Sequence, residues 1–451
     1  MRRRAFLGSA FAGLSTSLTN RTLLGGLGLL NTMGAAGSSA FTDNKSLVMV
    51  FLNGGVDSLG LLVPTGASQY AAYKNLRQHL AFDQSDLINL GTSNYATPNC
   101  CQSMVNLFNA EKLSWISNIG PLRQPTTKQM IVNNERVMPY FVGSHNSQQI
   151  MWQSGSVDPS AREGWGGKML DLISEQAGLV SPNISLDGTQ LFTSTLATPT
   201  FSINPEIIQN IAGLDPQNPG PNLDLFYAMQ SLQRPNALDN EVAYRNRRTV
   251  ESSSFLSTVM RHIGGEAVIY PNVTSPRDVE FQHQLKMAAR LVEAAPALGH
   301  PRQVIMVQMN GFDTHDNQDF SLPDLLRSLF ENLEAFQSDL ESRGLDHRVV
   351  TFSQSDFGRT PSINANGTDH GWGGHSFLMG TPVRGGQIVG EVPDFDVETE
   401  KMFLHLLIPD FSVEQYASNL ARWFGLSSSE ISEVLPNLSR FNDIDFELLS
   451  T

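Results

Sequence analysis

"SLVMVFLNGG", residues 46–55, places six apolar side chains in an unbroken run and stops them at an asparagine and two glycines. A strand with one wet face alternates apolar and polar residues. An unbroken run of this length means that both faces are covered, as at the centre of a parallel sheet. "KLSWISNIG" (112–120), "QVIMVQMNG" (303–311) and "RVVTFSQSD" (348–356) have the same form. Helical segments lie between them. One starts at Ser275 with Pro276 in its first turn, carries Val279, Leu285, Ala288, Leu291 and Val292 at helical spacing, and stops near Gly299. Another spans Pro323 to Arg343, with Leu325, Leu326, Leu329, Phe330, Leu333, Phe336 and Leu340 on one face. Helix and strand in alternation specify an α/β fold, a three-layer α/β/α doubly wound and mostly parallel sheet.

One such domain is expected over residues 45–430. The pattern weakens between about 190 and 270, where "LDPQNPGPNLD" (214–224) is a Pro/Asn/Gly loop, and this segment is expected to be a cap over the sheet near the site. Residues 431–451 are expected to be a C-terminal tail.

The 451 residues are 40% apolar and 16% charged, with a net charge of −14, as in a folded and weakly charged protein. An acidic chain without a basic patch or basic amphipathic helix has no footprint for nucleic acid or for anionic lipid. Cys100 and Cys101 are adjacent, so neither closes an ordinary intrachain loop, and two thiols are a simpler reading than a strained vicinal bridge. "MRRRAFLG" at the start, a mildly apolar Gly/Ser stretch through Ala36 and "SSA" at 38–40 read as a twin-arginine export signal over residues 1–40. The mature chain is then expected to begin near Phe41 in the periplasm, already folded when exported, with no membrane association beyond the signal.

Polar clusters follow the strands, at the rim where open α/β sheets bind ligands. Asn53, Asp57 and Ser58 follow the first strand, and Asp313, His315 and Asp316 the strand at 303. Ser355, Asp356, Arg359 and Thr360 end the strand at 349, and "GTDHGWGGH" (367–375) comes directly after, with Asp369, His370 and His375. A lone His or a D-x-H triplet carries little information. Imidazoles and carboxylates delivered to one rim by several strands are the ligand set of one or two divalent ions such as zinc, manganese or iron. Asp57, Asp313, His315, Asp356, His370 and His375 are the candidate ligands, with Asp313, His315 and His375 expected to bind directly and Asp369 to orient a histidine. Arg359 either clamps an anion with its planar fork or forms a structural ion pair.

"LNGGVDSLGLLVP", "SHNSQQIMWQSG", "GWGGKMLD", "NGFDTH", "SDFGRT" and "GTDHGWGGH", in this order behind the export signal, resemble the bacterial family catalogued as domain of unknown function 1501, over residues 45–430. That family in turn resembles the alkaline phosphatase and sulfatase superfamily, which implies an alkaline-phosphatase-like sheet and one or two divalent metals, here zinc or manganese. By that resemblance Asp313 and His315 stand at ligand positions, Asp356 takes the place of the Asp of an Asp-His pair, and His370 or His375 supplies the final imidazole. Asn53 stands where the superfamily has an Asp, with Asp57 as the substitute. Phe357 stands where the His of the pair would be, with Asp369 or the second histidine of the glycine loop to replace it. "SHNSQQIMWQSG" resembles the nucleophile-bearing helix, but with His145 at the nucleophile position, flanked by Ser144 and Ser147. The function implied is a periplasmic metal-dependent hydrolase of phosphate or sulfate esters, attacking with metal-bound water, Ser144 or His145 and taking a small anionic ester or sugar derivative. The alternative is an exported, non-catalytic metal- or ligand-binding protein that has lost the nucleophile.

Overall fold

A computed structural model describes residues 41–173, 178–208, 211–396 and 399–450. The export signal expected over residues 1–40 lies outside them. Among the described residues nine strands make one sheet: β1 (Lys45–Leu52), β2 (Leu113–Gly120), β3 (Asn183–Ser185), β4 (Phe201–Ser202), β5 (Arg302–Met309), β6 (Val349–Ser355), β7 (Gly374–Met379), β8 (Ile388–Val389) and β9 (Phe411–Ser412). Their spatial order is β8-β2-β7-β6-β1-β5-β3-β4, with β9 also on β2.

The unbroken apolar run of β1 is explained by its place. β5 pairs with it in parallel from Lys45↔Arg302 to Leu52↔Met309, and β6 pairs in parallel from Ser46↔Val349 to Leu52↔Ser355. Successive side chains then go to opposite faces. Val48, Val50 and Leu52 enter one core with Ile305 and Val307, while Leu47, Met49 and Phe51 enter the other with Val304, Met306, Val350 and Phe352. Each such side chain contributes about 1.5–3 kcal/mol by leaving water. β7 alone among the long strands runs antiparallel, against both β2 and β6. The sheet is therefore mostly parallel, as expected.

The helices include α1 (Ala67–Arg77), α2 (Gln102–Asn109), α3 (His145–Ser154), α4 (Trp165–Ile173), α5 (Ala237–Met260), α6 (Pro276–Leu298), α7 (Gln318–Ser342), α8 (Val413–Phe424) and α9 (Ser428–Val434). One layer is built from α2, α6 and α7, through Phe108, Phe281, Leu285, Leu329 and Phe330. The other is built from α4, α8 and α9, through Trp165, Met169, Tyr416, Leu420 and Ile431. α6 begins with Pro276 at its first position and ends at Gly299, whose φ of 75° is the left-handed cap that glycine adopts without strain. α7 starts at Gln318, ahead of the expected Pro323, because the buried Gln318 side chain is tied down on both its amide atoms.

Two expectations about the periphery need correction. Residues 431–450, expected as a C-terminal tail, are part of the domain: Ile431, Val434, Leu435, Leu438, Phe446 and Leu448 are buried in the second core. Their apolar content forces them inward. The helical part of the 190–270 segment is not laid over the strand ends that carry the polar loops. Val250, Leu256 and Val259 of α5 are buried, and Arg248 and Ser252 donate to the carbonyls of Gly178 and Leu179. Those carbonyls precede β3, on the amino-terminal side of the sheet. No helix among the described residues is long and apolar enough to cross a membrane.

Candidate metal centre

β1, β5 and β6 are neighbours and parallel, so the loops after them emerge side by side. They are packed tightly enough to require glycine. Gly54 has φ 119°, and a Cβ there would lie 2.3 Å from the Asp313 amide nitrogen. The glycine-rich loop crosses the chain that follows β6, where a Cβ on Gly371 would meet the Gly358 carbonyl at 2.1 Å. This crossing carries His370 back over the rim. His145, the first residue of α3, arrives from a fourth direction.

Three imidazoles and one carboxylate converge there. His145 Nε2 is 3.0 Å from His370 Nε2, which is 2.7 Å from His315 Nε2. Asp313 Oδ1 lies 3.1 Å from His315 Nε2 and 3.4 Å from His370 Nε2, and Asp313 Oδ2 lies 3.6 Å from His145 Nε2. The other nitrogen of each ring faces an acceptor. His370 Nδ1 donates to the Gly143 carbonyl at 2.6 Å, and His145 Nδ1 lies 2.5 Å from Asp356 Oδ2. His315 Nδ1 is 3.4 Å from Asp369 Oδ1. A ring that donates from Nδ1 turns its Nε2 lone pair outward. The Nε2 atoms of His145 and His370 therefore face each other 3.0 Å apart, an arrangement that a shared cation, a proton or a metal ion, would satisfy.

Burial lowers the His370 pKa, as do His145, His315 and Arg359, against the opposing pull of the Gly143 carbonyl. The ring is thus kept neutral, the form that ligates. Asp313 goes the other way: burial raises its pKa, but the Arg359 hydrogen bond and charge, with His315 and His145, outweigh this and hold it below the usual carboxylate range. Arg359 is fully buried, and its fork does not face the rim. Nη1 donates to Asp313 Oδ1 and to the Gly54 carbonyl, each at 3.0 Å, and Nε donates to Thr368 Oγ1 at 2.8 Å. It is a pin holding the ligand loop, and the anion-clamp reading is not supported.

The structure separates two expected ligands from the cluster. Asp57 is 2% exposed, and both its oxygens are taken by Arg77, at 2.5 and 2.7 Å. His375 lies inside β7 rather than in the loop, 4% exposed, its Nδ1 accepting from the Asn118 amide at 3.1 Å and its Nε2 without a partner. Asp356, fully buried, sits behind His145: its Oδ1 accepts from the Gly54 amide at 3.1 Å and its Oδ2 faces His145 Nδ1, so it does not face the cluster. Asp369 lies beside His315, on the far side of its ring from the cluster. Phe357 is the floor, its ring 4.9 Å from that of His145 and 4.8 Å from that of His370. Ser144 is the N-cap residue of α3 and does not use its side chain to cap.

The buried His375 has a consequence for stability. Burial holds its pKa down to about 3, against an upward pull from Asp57. An unfolded imidazole, near 6.5, binds its proton first as pH falls, so this contribution is complete above about 6.5 and drains toward pH 3. Replacing His375 by Gln is expected to shift the acid-unfolding midpoint, followed by circular dichroism, to lower pH. An unchanged midpoint would show that the imidazole is not held neutral.

Residues 44–435 match the family described as protein of unknown function (DUF1501). The chain belongs to this family. No curated protein matches it. Among solved structures, Ps i-CgsB is 10% identical with a TM-score of 0.39, over 89% of this chain and 78% of that one. The PsFucS1 sulfatase from Pseudoalteromonas sp. is 9% identical, TM-score 0.38, over 94% and 76%. The lipoteichoic acid synthase LtaP from Listeria monocytogenes is 11% identical, TM-score 0.28, over 81% and 72%.

In this DUF1501 chain two side chains at the site escaped the reading of its sequence. Gln149, one turn along α3 from His145, donates from Nε2 to Asp356 Oδ2 at 3.0 Å and to Asn53 Oδ1 at 2.9 Å. Asn310 accepts from Asn53 Nδ2 at 2.7 Å. The i, i+4 spacing of His145 and Gln149, which puts both on one face of α3, was the available signal.

Proposed function

We propose that this DUF1501 chain is an exported metal-dependent hydrolase of phosphate or sulfate esters with a mononuclear centre. His145, Asp313 and His370 would hold the ion, zinc or manganese, with His315 as the fourth donor. The observation that carries this reading is the pair of facing Nε2 atoms of His145 and His370, 3.0 Å apart, each ring backed by an acceptor on its far side. That is the outer support that ligating histidines have. Mutual closeness of the three donor atoms, all within 4.8 Å of one another, supports it as well.

A divalent ion there would supply Lewis acidity toward an ester oxygen. The chain's own residues do the rest. Gly143 and Asp356 fix the tautomers of His370 and His145, Arg359 keeps Asp313 ionised and aimed, and the tight glycine crossing holds His370 over the rim. Ser144, the N-cap residue of α3 whose side chain does not cap, would be the attacking hydroxyl. His145 itself, with Nδ1 on Asp356 and Nε2 in the cluster, fits a ligand better than a nucleophile. The Gln149 amide group lies between Asp356 and Asn53, where a second cation would need those oxygens, and this favours a single ion.

Asn53 in place of a carboxylate and Phe357 in place of an imidazole favour the second reading, a metal-binding protein without turnover. Metal analysis of the purified protein, joined to assays on aryl phosphates and aryl sulfates, separates the two. The expected result is one zinc or manganese per chain with hydrolysis of at least one ester. Two ions per chain would contradict the mononuclear assignment, no metal would overturn the hydrolase reading, and metal without turnover would leave the second.

A further inference from the structure

Phe141 and Leu404 combine two unfavourable features. Phe141 has φ 57° and Leu404 φ 48°, a backbone region that bulky side chains rarely occupy. Their side chains are 69% and 75% exposed, so neither gains packing that would offset the strain. A singly exposed leucine is ordinary. An exposed one on a strained backbone points to a use outside the folded chain. The turn at Leu404 sharpens this. Met402–Phe403 and Leu406–Leu407 form a hairpin with Phe403 opposite Leu406, and the two residues between them, Leu404 and His405, both have positive φ, 48° and 65°. Such a two-residue turn strongly favours Asn-Gly. Leu-His in its place gives up turn stability and holds an apolar side chain out at the tip.

Both segments border the metal centre. Phe141 is two residues before Gly143, whose carbonyl accepts from His370 Nδ1, and its own carbonyl accepts from the Ser144 amide at 3.0 Å. The hairpin tip reaches the chain that follows Arg359, where His405 Nδ1 lies 3.0 Å from Ser362 Oγ. Val142, next to Phe141, and Phe403, next to Leu404, pack on one small cluster with the buried Trp372. Trp372 is two residues after His370, so the two strained projections rise from the same support as the middle imidazole of the centre.

Charge and chemistry restrict the occupant. The Arg359 fork is spent inside the protein, and Lys401, just before the hairpin, is paired with Asp410. With the anionic head left to the metal, further binding energy has to come from the remote part of the substrate. The side chains of Phe141 and Leu404 offer apolar surface and no hydrogen-bonding group, which suits an alkyl arm and not the hydroxyls of a sugar. A bilayer fits less well, because a chain of net charge −14 is repelled by anionic lipid.

We propose that Phe141 and Leu404 are specificity-determining contacts for an apolar arm, so that the ester taken at the metal centre is an amphiphile with an anionic head and an alkyl chain. The proposal rests on the hydrolase reading for the head group, while the arm is read by binding and needs no turnover. Methylphosphonate and octylphosphonate, which carry no ester bond to cleave, are titrated into the zinc-loaded protein by calorimetry. Each methylene is worth about fourfold in affinity when fully buried, and on an open rim the octyl chain is expected to gain about a hundredfold over methyl.

Two variants locate the arm. Asparagine tolerates positive φ, so Phe141→Asn and Leu404→Asn are each expected to melt no lower than the parent and to bind methylphosphonate equally well. Each should lose about tenfold of the octyl gain, as expected when part of the apolar contact is removed. A merely structural role would instead lower the melting temperature and leave the octyl-to-methyl ratio alone. A ratio near one in the parent, with methylphosphonate bound, would overturn the arm and leave the hydrolase reading. Failure of both phosphonates to bind would overturn that reading and the proposal with it. A ratio unchanged in both variants would place the chain elsewhere and overturn the assignment. Glucose 6-phosphate bound as tightly as octylphosphonate would overturn the apolar chemistry. Binding of the parent to phosphatidylcholine vesicles, lost in both variants, would assign the two side chains to a membrane instead.

Discussion

His370→Ala is expected to leave the sheet folded and to strip the centre of its metal. The ring is at once the middle member of the imidazole row and the one whose Nδ1 is fixed by a carbonyl, so its loss removes a donor and leaves Asp313 as the neighbour that His145 and His315 share. Removing an outer partner of a metal ligand typically costs about 10–100-fold in affinity or activity, and removing the ligand itself should cost roughly 100-fold or more. Asp356→Asn, which weakens only the support behind His145, should fall in the milder range. Metal content after dialysis, measured beside circular dichroism, checks both. Full metal retention in His370→Ala with an unchanged fold would refute the centre as drawn.

The central strands were legible because their signal is physical and local. A run such as 46–52 can be satisfied only between two apolar layers, and Pro276 and Gly299 mark the ends of α6 by conformations that few other residues adopt so readily. The rim was legible one strand end at a time. What could not be read is which side chain turns to which partner across long separations. Asp57 looked like a ligand because it follows a strand; its partner Arg77 comes from a helix whose own pattern says nothing of the site. His375 looked like a loop residue because three of the five residues before it are glycines, yet those glycines only allow the crossing, and β7 has begun by Gly374. His145 resembled a nucleophile by position, and its place beside His370 depends on a contact between residues 225 apart in the chain.

Arg77→Met is expected to destabilise the fold by about 3–5 kcal/mol, the effect of leaving one member of a buried ion pair without its partner. Both side chains of the Asp57–Arg77 pair are 2% exposed, and Gln318 Nε2 would be the remaining polar contact of the Asp57 carboxylate. The double variant Asp57→Leu with Arg77→Met removes the uncompensated charge and should recover much of the loss, since replacing both members of such a pair by apolar groups is often nearly neutral. Urea unfolding of the two variants decides it. A single variant as stable as the parent would mean that the carboxylate is not held as a buried charge.

The position of β1 at the centre of the sheet sets the order in which the protein can be completed during synthesis. Its partners lie 257 and 303 residues downstream, at Arg302 and Val349. At a ribosome's pace of about 5–20 residues per second, the first strand made would wait roughly 15–60 s for the second of its neighbours. Until then its apolar side chains have no native surface to cover them, and the nascent chain depends on chaperones or on non-native collapse. A chain read as bearing a signal for export in the folded state would thus display that signal well before it is fit to leave, and the last-made neighbour of β1 sets the clock for its departure.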